Sequence, residues 1–108
     1  MNDASIRQLQ AAASQAAAML RAVGNEHRLL ALCLLIEYGE MTVGELNEYL
    51  PLSQSALSQH LAVLREDGLV TTRREAQTIY YTVSPGPTQR VIQTLHDVYC
   101  GNGPASCK

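Results

Sequence analysis

The chain carries three cysteines, Cys33, Cys100 and Cys107, and three histidines, His27, His60 and His96. A cysteine thiolate is a nucleophile and a soft-metal ligand, and histidine exchanges its proton near neutral pH. Spacing restricts what these groups do. No CxxC pair is present. An odd cysteine count without a secretory signal does not describe a disulfide scaffold. The thiols are therefore either inert packing or reactive groups. His96 lies one helical turn before Cys100. If protonated, it offsets the negative helix end, which by itself raises a thiol pKa. His96 and Asp97 are adjacent and diverge, and the other histidines fall in other helices, so no first-row metal site is expected. A thiol enzyme needs a nucleophile, a base and an orienting group in a cleft. His96 and Cys100 form a pair without a sign of a cleft, so the chain reads as a non-enzyme.

A second set of groups suits recognition. In LPLSQSALSQHLAVLREDGLV, residues 50–70, Leu57, Leu61 and Leu64 share one helical face. Ser55, Gln59, Ala62 and Glu66 point the other way, with Gln54 and Ser58 at the boundary. Amides and hydroxyls exchange hydrogen bonds with base edges in a major groove, and glutamine suits adenine. Arg73 and Arg74 follow, where a hairpin can reach phosphate or the minor groove. His60 lies between the apolar stripe and the polar face, a place that suits a structural hydrogen bond better than a base contact. The candidate DNA-binding set is Gln54, Ser55, Ser58, Gln59, His60, Arg73 and Arg74. A solvated amphipathic helix is the plain alternative. The short turn before the helix and the arginine-bearing hairpin after it weigh against that.

The elements that position these groups are marked by their caps. Residues 2–22 read as an Ala-rich helix with Ile6, Leu9, Ala13, Ala16, Ala17 and Leu20 at helical spacing, facing either its own core or a second copy. Asn25 caps a helix from Glu26 to about Tyr38 whose middle, LLALCLLI, is apolar almost all round. Gly39 ends it. Thr42-Val-Gly-Glu45 is a capping box before a short helix bearing Val43, Leu46, Tyr49 and Leu50. Pro51 stops that helix, and Ser53 caps the next, giving a helix-turn-helix over about 42–67. LVTTRR and QTIYYTV are strands around Glu75-Ala76, a hairpin wing over about 69–83. That tip lacks the Gly or Asn that tight turns favour. Thr88 caps a last helix reaching Tyr99 or Cys100, with Val91, Ile92, Leu95, Val98 and Tyr99 apolar. The chain thus reads as mainly α with a β-hairpin wing, a domain over 1–100 and a flexible tail over 101–108.

Composition agrees with a folded globular chain rather than a disordered one or a membrane protein. One domain fits 108 residues. Alone it buries only a modest core, so a partner that covers more apolar surface would help. The longest apolar run, residues 29–36, is too short to span a membrane, and no leader pattern opens the chain. A cytoplasmic location follows. The net charge of −2 argues mildly against nucleic acid. The local distribution matters more: Arg65, Arg73 and Arg74 lie close in sequence, while acids gather over 37–48 and 66–67.

NEHRLLALCLL, TVGELNEYLPLSQSALSQHLAVLREDGLV and TRREAQTIYYTVS resemble the ArsR/SmtB family of bacterial winged-helix repressors, and within it the HlyU/BigR/SqrR type. The likeness covers roughly residues 15–100. It implies a winged helix-turn-helix homodimer held by its first and last helices. It also implies binding to a pseudo-palindromic operator that a chemical inducer weakens. The metal-sensing CxC of many members has no counterpart in TVGELNEYL, and the last helix lacks their carboxylate–histidine site. The thiol-based members place two cysteines where Cys33 and Cys100 stand, and link them through sulfur in response to persulfides or oxidants. That role is what the resemblance implies here, although Cys33 alone, in LLALCLLI, reads as packing. Cys107 is outside that pattern. With Cys33 and Cys100 it gives an alternative set of three thiolates for trivalent arsenic. An adaptor that does not bind DNA is the alternative of another class. The expected partners are operator DNA, a second copy and a small inducer, with no cofactor and no membrane.

Overall fold

Asn25 starts the helix around which the core is built. Its side-chain oxygen accepts from the N–H groups of His27 and Arg28, both at 3.0 Å. It thereby satisfies two of the donors that a helix start leaves open. Helix α2 runs Glu26–Tyr38 and stops at Gly39, whose φ of 85° is one that a side chain resists. The computed structural model describes residues 3–101, with Cys100 and Gly101 placed by backbone alone. Ahead of α2 lies α1, Asp3–Val23. After it come strand β1 (Met41–Thr42), α3 (Val43–Asn47), α4 (Gln54–Glu66), β2 (Val70–Glu75), β3 (Thr78–Val83) and α5 (Pro87–His96). The last helix continues into a single π-type turn, Asp97–Gly101. This is the winged helix-turn-helix expected from the sequence.

The core is aliphatic. Leu32 and Leu35 of α2, Leu46 of α3, Leu57, Leu61 and Leu64 of α4, Leu69 ahead of β2, and Ile92 of α5 are fully buried. Each such side chain contributes about 1.5–3 kcal/mol by leaving water. The α4 stripe therefore anchors one face of that helix and leaves the opposite face open. The capping box is formed, with Glu45 N–H donating to Thr42 Oγ1 at 3.2 Å and Thr42 N–H to Glu45 Oε1 at 2.9 Å. Ser53 caps α4 by accepting from Ala56 N–H at 3.1 Å.

Local details depart from the sequence expectations. The wing has a third strand: β1 pairs antiparallel with β3, Met41 opposite Tyr81, in the order β1-β3-β2. Two residues are too few to show a period. The hairpin tip is Ala76-Gln77, because Glu75 still pairs with Thr78. Ala76 takes a φ of 57°, where alanine is strained and glycine is not. Gly86, not Thr88, caps α5, with Pro87 at the first helical position, where its missing N–H costs nothing. Thr88 Oγ1 instead points to Met19 Sδ at 3.9 Å. Helix α3 ends at Asn47, so Tyr49 leaves the apolar face and stacks on Tyr38 with centroids 5.6 Å apart.

Finally, α1 meets the core through its C-terminal part. Only Ala22 and Val23 are buried, while Ile6, Leu9 and Leu20 are exposed, Leu9 by 60%. Val98 and Tyr99 are exposed too, Tyr99 by 68%.

Candidate nucleic-acid interface and thiol site

The turn leading into α4 is held by Asn47, a residue that the sequence did not single out. Its Nδ2 donates to the Leu52 carbonyl at 2.8 Å, bracing the turn between α3 and α4. With Leu57, Leu61 and Leu64 buried, Gln54, Ser55, Ser58 and Gln59 are all exposed on the outer side. The first-turn N–H groups of α4 add a positive helix end beside them. Neutral donors and acceptors on a slim helix can exchange hydrogen bonds with base edges.

His60 is held differently. Arg28 Nη1 lies 3.3 Å from His60 Nδ1, and Arg28 Nε donates to the Ala22 carbonyl at 2.6 Å. A guanidinium only donates, so Nδ1 must accept and His60 is neutral in this arrangement. Burial, then the charges of Arg28 and His27, hold its pKa below the ordinary histidine value. The structural bond anticipated for His60 is present, and it ties α4 to the end of α1 and the start of α2.

The two wing arginines separate. Arg73 grips Glu40 with two hydrogen bonds, Nη2 to Oε1 at 2.7 Å and Nε to Oε2 at 2.9 Å. Its Nη1 donates to Glu75 at 2.8 Å, and its guanidinium carbon lies 4.5 Å from the centre of the Tyr80 ring. The paired carboxylates raise the Arg73 pKa further, and the same bond lowers that of Glu40. Arg74 donates from Nε to the Ala76 carbonyl at 3.1 Å. No carboxylate pairs with Arg74 among the described residues. Of the two, Arg74 has the guanidinium charge more available to phosphate.

The candidate thiol site is centred on α2. Cys33 is half-buried and sits one turn from Glu37 on the same helical face. Both line a surface cavity of about 230 Å³ together with His96, Tyr38 and Tyr49. Leu30 and Leu34 form its apolar part. Glu37 Oε2 is 2.8 Å from His96 Nε2, a contact between α2 and α5. The backbone turn after α5 carries Cys100, and α5 itself packs on α2, which carries Cys33. Cys107 lies outside the described residues. Among the described residues no cluster of three metal-ligating groups occurs. Glu37, Tyr38 and Tyr49 were not anticipated here. The only signal for Glu37 was its spacing from Cys33.

The chain is 50% identical over 95 residues to the transcriptional activator HlyU of Vibrio cholerae, covering 88% of this chain and 87% of that protein. The chain belongs to the arsR family of bacterial regulatory proteins. The family model itself matches residues 25–72, from the cap of α2 into β2. The structure of reduced HlyU overlays on this arsR-family chain with a TM-score of 0.81, covering 87% of this chain and 98% of that one. A biofilm growth-associated repressor of Agrobacterium fabrum is 41% identical over 82% of this chain and 74% of its own length. A Mycobacterium bovis domain described as a homodimeric winged helix-turn-helix DNA-binding domain is 28% identical, with a TM-score of 0.73 over 91% of this chain and 86% of that one. The matched segment of the arsR-family chain contains the helix-turn-helix and Cys33, and stops at the start of the wing.

Proposed function

We propose that this chain is a homodimeric transcription regulator that reads a pseudo-palindromic operator through α4, and that sulfur chemistry at Cys33 and Cys100 changes its hold on DNA. The observation that carries the DNA-binding half is the face of α4. Gln54, Ser55, Ser58 and Gln59 stand exposed and uncharged on a helix whose opposite side is locked into the core. Arg74 supplies a phosphate contact from the wing, and Arg73 a second one if it exchanges Glu40 for DNA. The relatives' description as transcriptional regulators supports the same reading.

Dimerisation is supported by the surface that one chain leaves open. The exposed apolar residues of α1 and those after α5, Ile6, Leu9, Leu20, Val98 and Tyr99, need a partner surface. A second copy supplies one and presents two α4 helices to half-sites about one helical turn apart.

Switching is assigned to Cys33 and Cys100, whose backbone positions lie on α2 and on the turn after α5. An organic persulfide, R–S–SH, transfers its outer sulfur to Cys33, which becomes Cys33–S–SH while R–SH leaves. The Cys100 thiol then attacks the Cys33 sulfur, forming the Cys33–Cys100 bond and expelling H₂S. Two thiols are oxidised and one persulfide is reduced; a second persulfide would leave extra sulfur in the bridge. The link fixes α2 to the turn after α5, beside the proposed dimer surface, and alters the spacing of the two α4 helices.

The test is binding to duplex from the regulator's own promoter, read by fluorescence anisotropy across a salt series. Reduced protein is expected to bind with a steep salt dependence, because neutralised phosphates release counterions. Persulfide-treated protein is expected to bind at least tenfold more weakly. Salt-independent or absent duplex binding would favour the adaptor reading. Equal affinity before and after treatment would remove the thiol switch and leave the DNA reader.

A further inference from the structure

Cys33 shares its cavity with a carboxylate–imidazole contact that the regulator reading does not use. Glu37 lies one turn after Cys33 on α2, and His96 meets it from α5 with Nε2 and Oε2 2.8 Å apart. The His96 side chain is only 14% exposed. Its other nitrogen, Nδ1, is buried and has no hydrogen-bond partner among the described residues. Asp97 Oδ1 stands 3.6 Å away, too far for a bond, and already accepts from Gln93 Nε2 at 2.9 Å. A carboxylate only accepts, so Nε2 must carry the proton that reaches Glu37. In the neutral ring, Nδ1 is then a bare lone pair. A carboxylate thus orients an imidazole whose second nitrogen is an acceptor, and that imidazole and the Cys33 thiol line the same cavity.

We propose that His96, oriented by Glu37, is the proton acceptor that makes the Cys33 thiol reactive toward sulfane sulfur. This rests on the thiol-switch reading above and names the group that drives its first step. The thiol proton passes to His96 Nδ1. The Cys33 sulfur attacks the outer sulfur of R–S–SH, the S–S bond breaks, and R–S⁻ leaves with the proton returned by the imidazolium. The sum is Cys33–SH plus R–S–SH giving Cys33–S–SH plus R–SH. The apolar floor of Leu30 and Leu34 offers a place for the R group, so a small organic persulfide suits the site. Titratable and charged groups around the ring are Glu37 and Tyr38 from α2, Tyr49 from the segment after α3, and Asp97 from the turn after α5.

The experiment reads alkylation of the Cys33-containing peptide by iodoacetamide, by mass spectrometry, in the full chain between pH 5 and 9. The reaction releases iodide and consumes the thiolate alone, so its pH profile reports Cys33 ionisation. His96→Gln is expected to move the midpoint up by about one pH unit and to slow the reaction at pH 7 about tenfold. Glu37→Gln is expected to move it in the same direction by less. Superimposable profiles for the parent and both variants would overturn the proposal and leave the pair as a structural tie between α2 and α5. Nitrogen-15 shifts of His96 in the unmodified protein test it without any substitution. A bare Nδ1 and protonated Nε2 are expected in the neutral ring, and the opposite tautomer would overturn it. Operator affinity after persulfide treatment is a separate readout. A protein that keeps its His96-dependent alkylation profile but binds DNA equally in both states loses the switch and keeps the base.

Discussion

Arg73 of the wing and Glu40, between α2 and β1, share two parallel hydrogen bonds, 2.7 and 2.9 Å long, across 33 positions of sequence. The guanidinium that would meet DNA phosphate is thus already held by a carboxylate. Removing that competitor should free it. We expect Glu40→Gln to tighten binding to duplex of any sequence and to steepen the slope of log affinity against log salt by about one. Folding stability should barely change, because an exposed pair contributes little. An unchanged salt slope in the variant would show that Arg73 does not reach phosphate.

His60 gives a pH dependence with a definite sign. Burial lowers its pKa below 6.5, reinforced by Arg28 and His27. The folded chain therefore binds this proton less readily than the unfolded chain. The stability linked to neutral His60 is complete above pH 6.5 and is lost as pH falls from there through the lowered folded value. Glutamine keeps an acceptor for Arg28 Nη1 but does not titrate. Urea unfolding of His60→Gln between pH 8 and 5 should therefore fall off less steeply than that of the parent. Parallel curves would mean that folding does not lower the His60 pKa.

How much was readable in the sequence depended on the reach of each interaction. The caps at Asn25, Thr42 and Ser53 bind N–H groups two or three residues on, and each was legible from residue type and position. The polar face of α4 was legible because its apolar stripe fixes which side is buried. Arg73–Glu40 and His96–Glu37 join residues 33 and 59 positions apart, and nothing local marks them. Arg73 therefore read as an open cation and Glu37 as an ordinary surface acid. Strand β1 exists only because β3 lies beside it. Thr88 misled because hydroxyls favour caps, whereas here Gly86 and Pro87 set the helix start earlier in the chain.

Leu9 tests the assembly. It is 60% exposed on α1, a helix whose buried side chains are confined to Ala22 and Val23 at its end. Leu9→Glu places a charge where the proposed second copy packs, without touching the core of a single chain. Light scattering should show a shift from dimer toward monomer, and operator affinity should fall by at least tenfold as the two half-sites uncouple. A variant that stays dimeric with parental affinity would locate the interface elsewhere.

Gln59 and Arg74 separate reading from holding. Gln59 is exposed on the open face of α4, where an amide can pair with one base edge. Gln59→Ala should cost about 1–3 kcal/mol on the preferred operator and relax preference at one position in each half-site. Its salt slope should stay parental, because every charge that meets phosphate is still in place. Arg74 lies at the wing with its charge unpaired by carboxylate among the described residues. Arg74→Gln should weaken specific and random duplex alike, and flatten the salt slope by about one for each phosphate that the arginine neutralises. The two variants should thus fail in opposite ways on the same pair of measurements, a matrix of operator substitutions and a salt series. If Gln59→Ala weakened all sequences equally, α4 would be gripping the backbone rather than reading bases, and the recognition role assigned to its polar face would have to move to other residues.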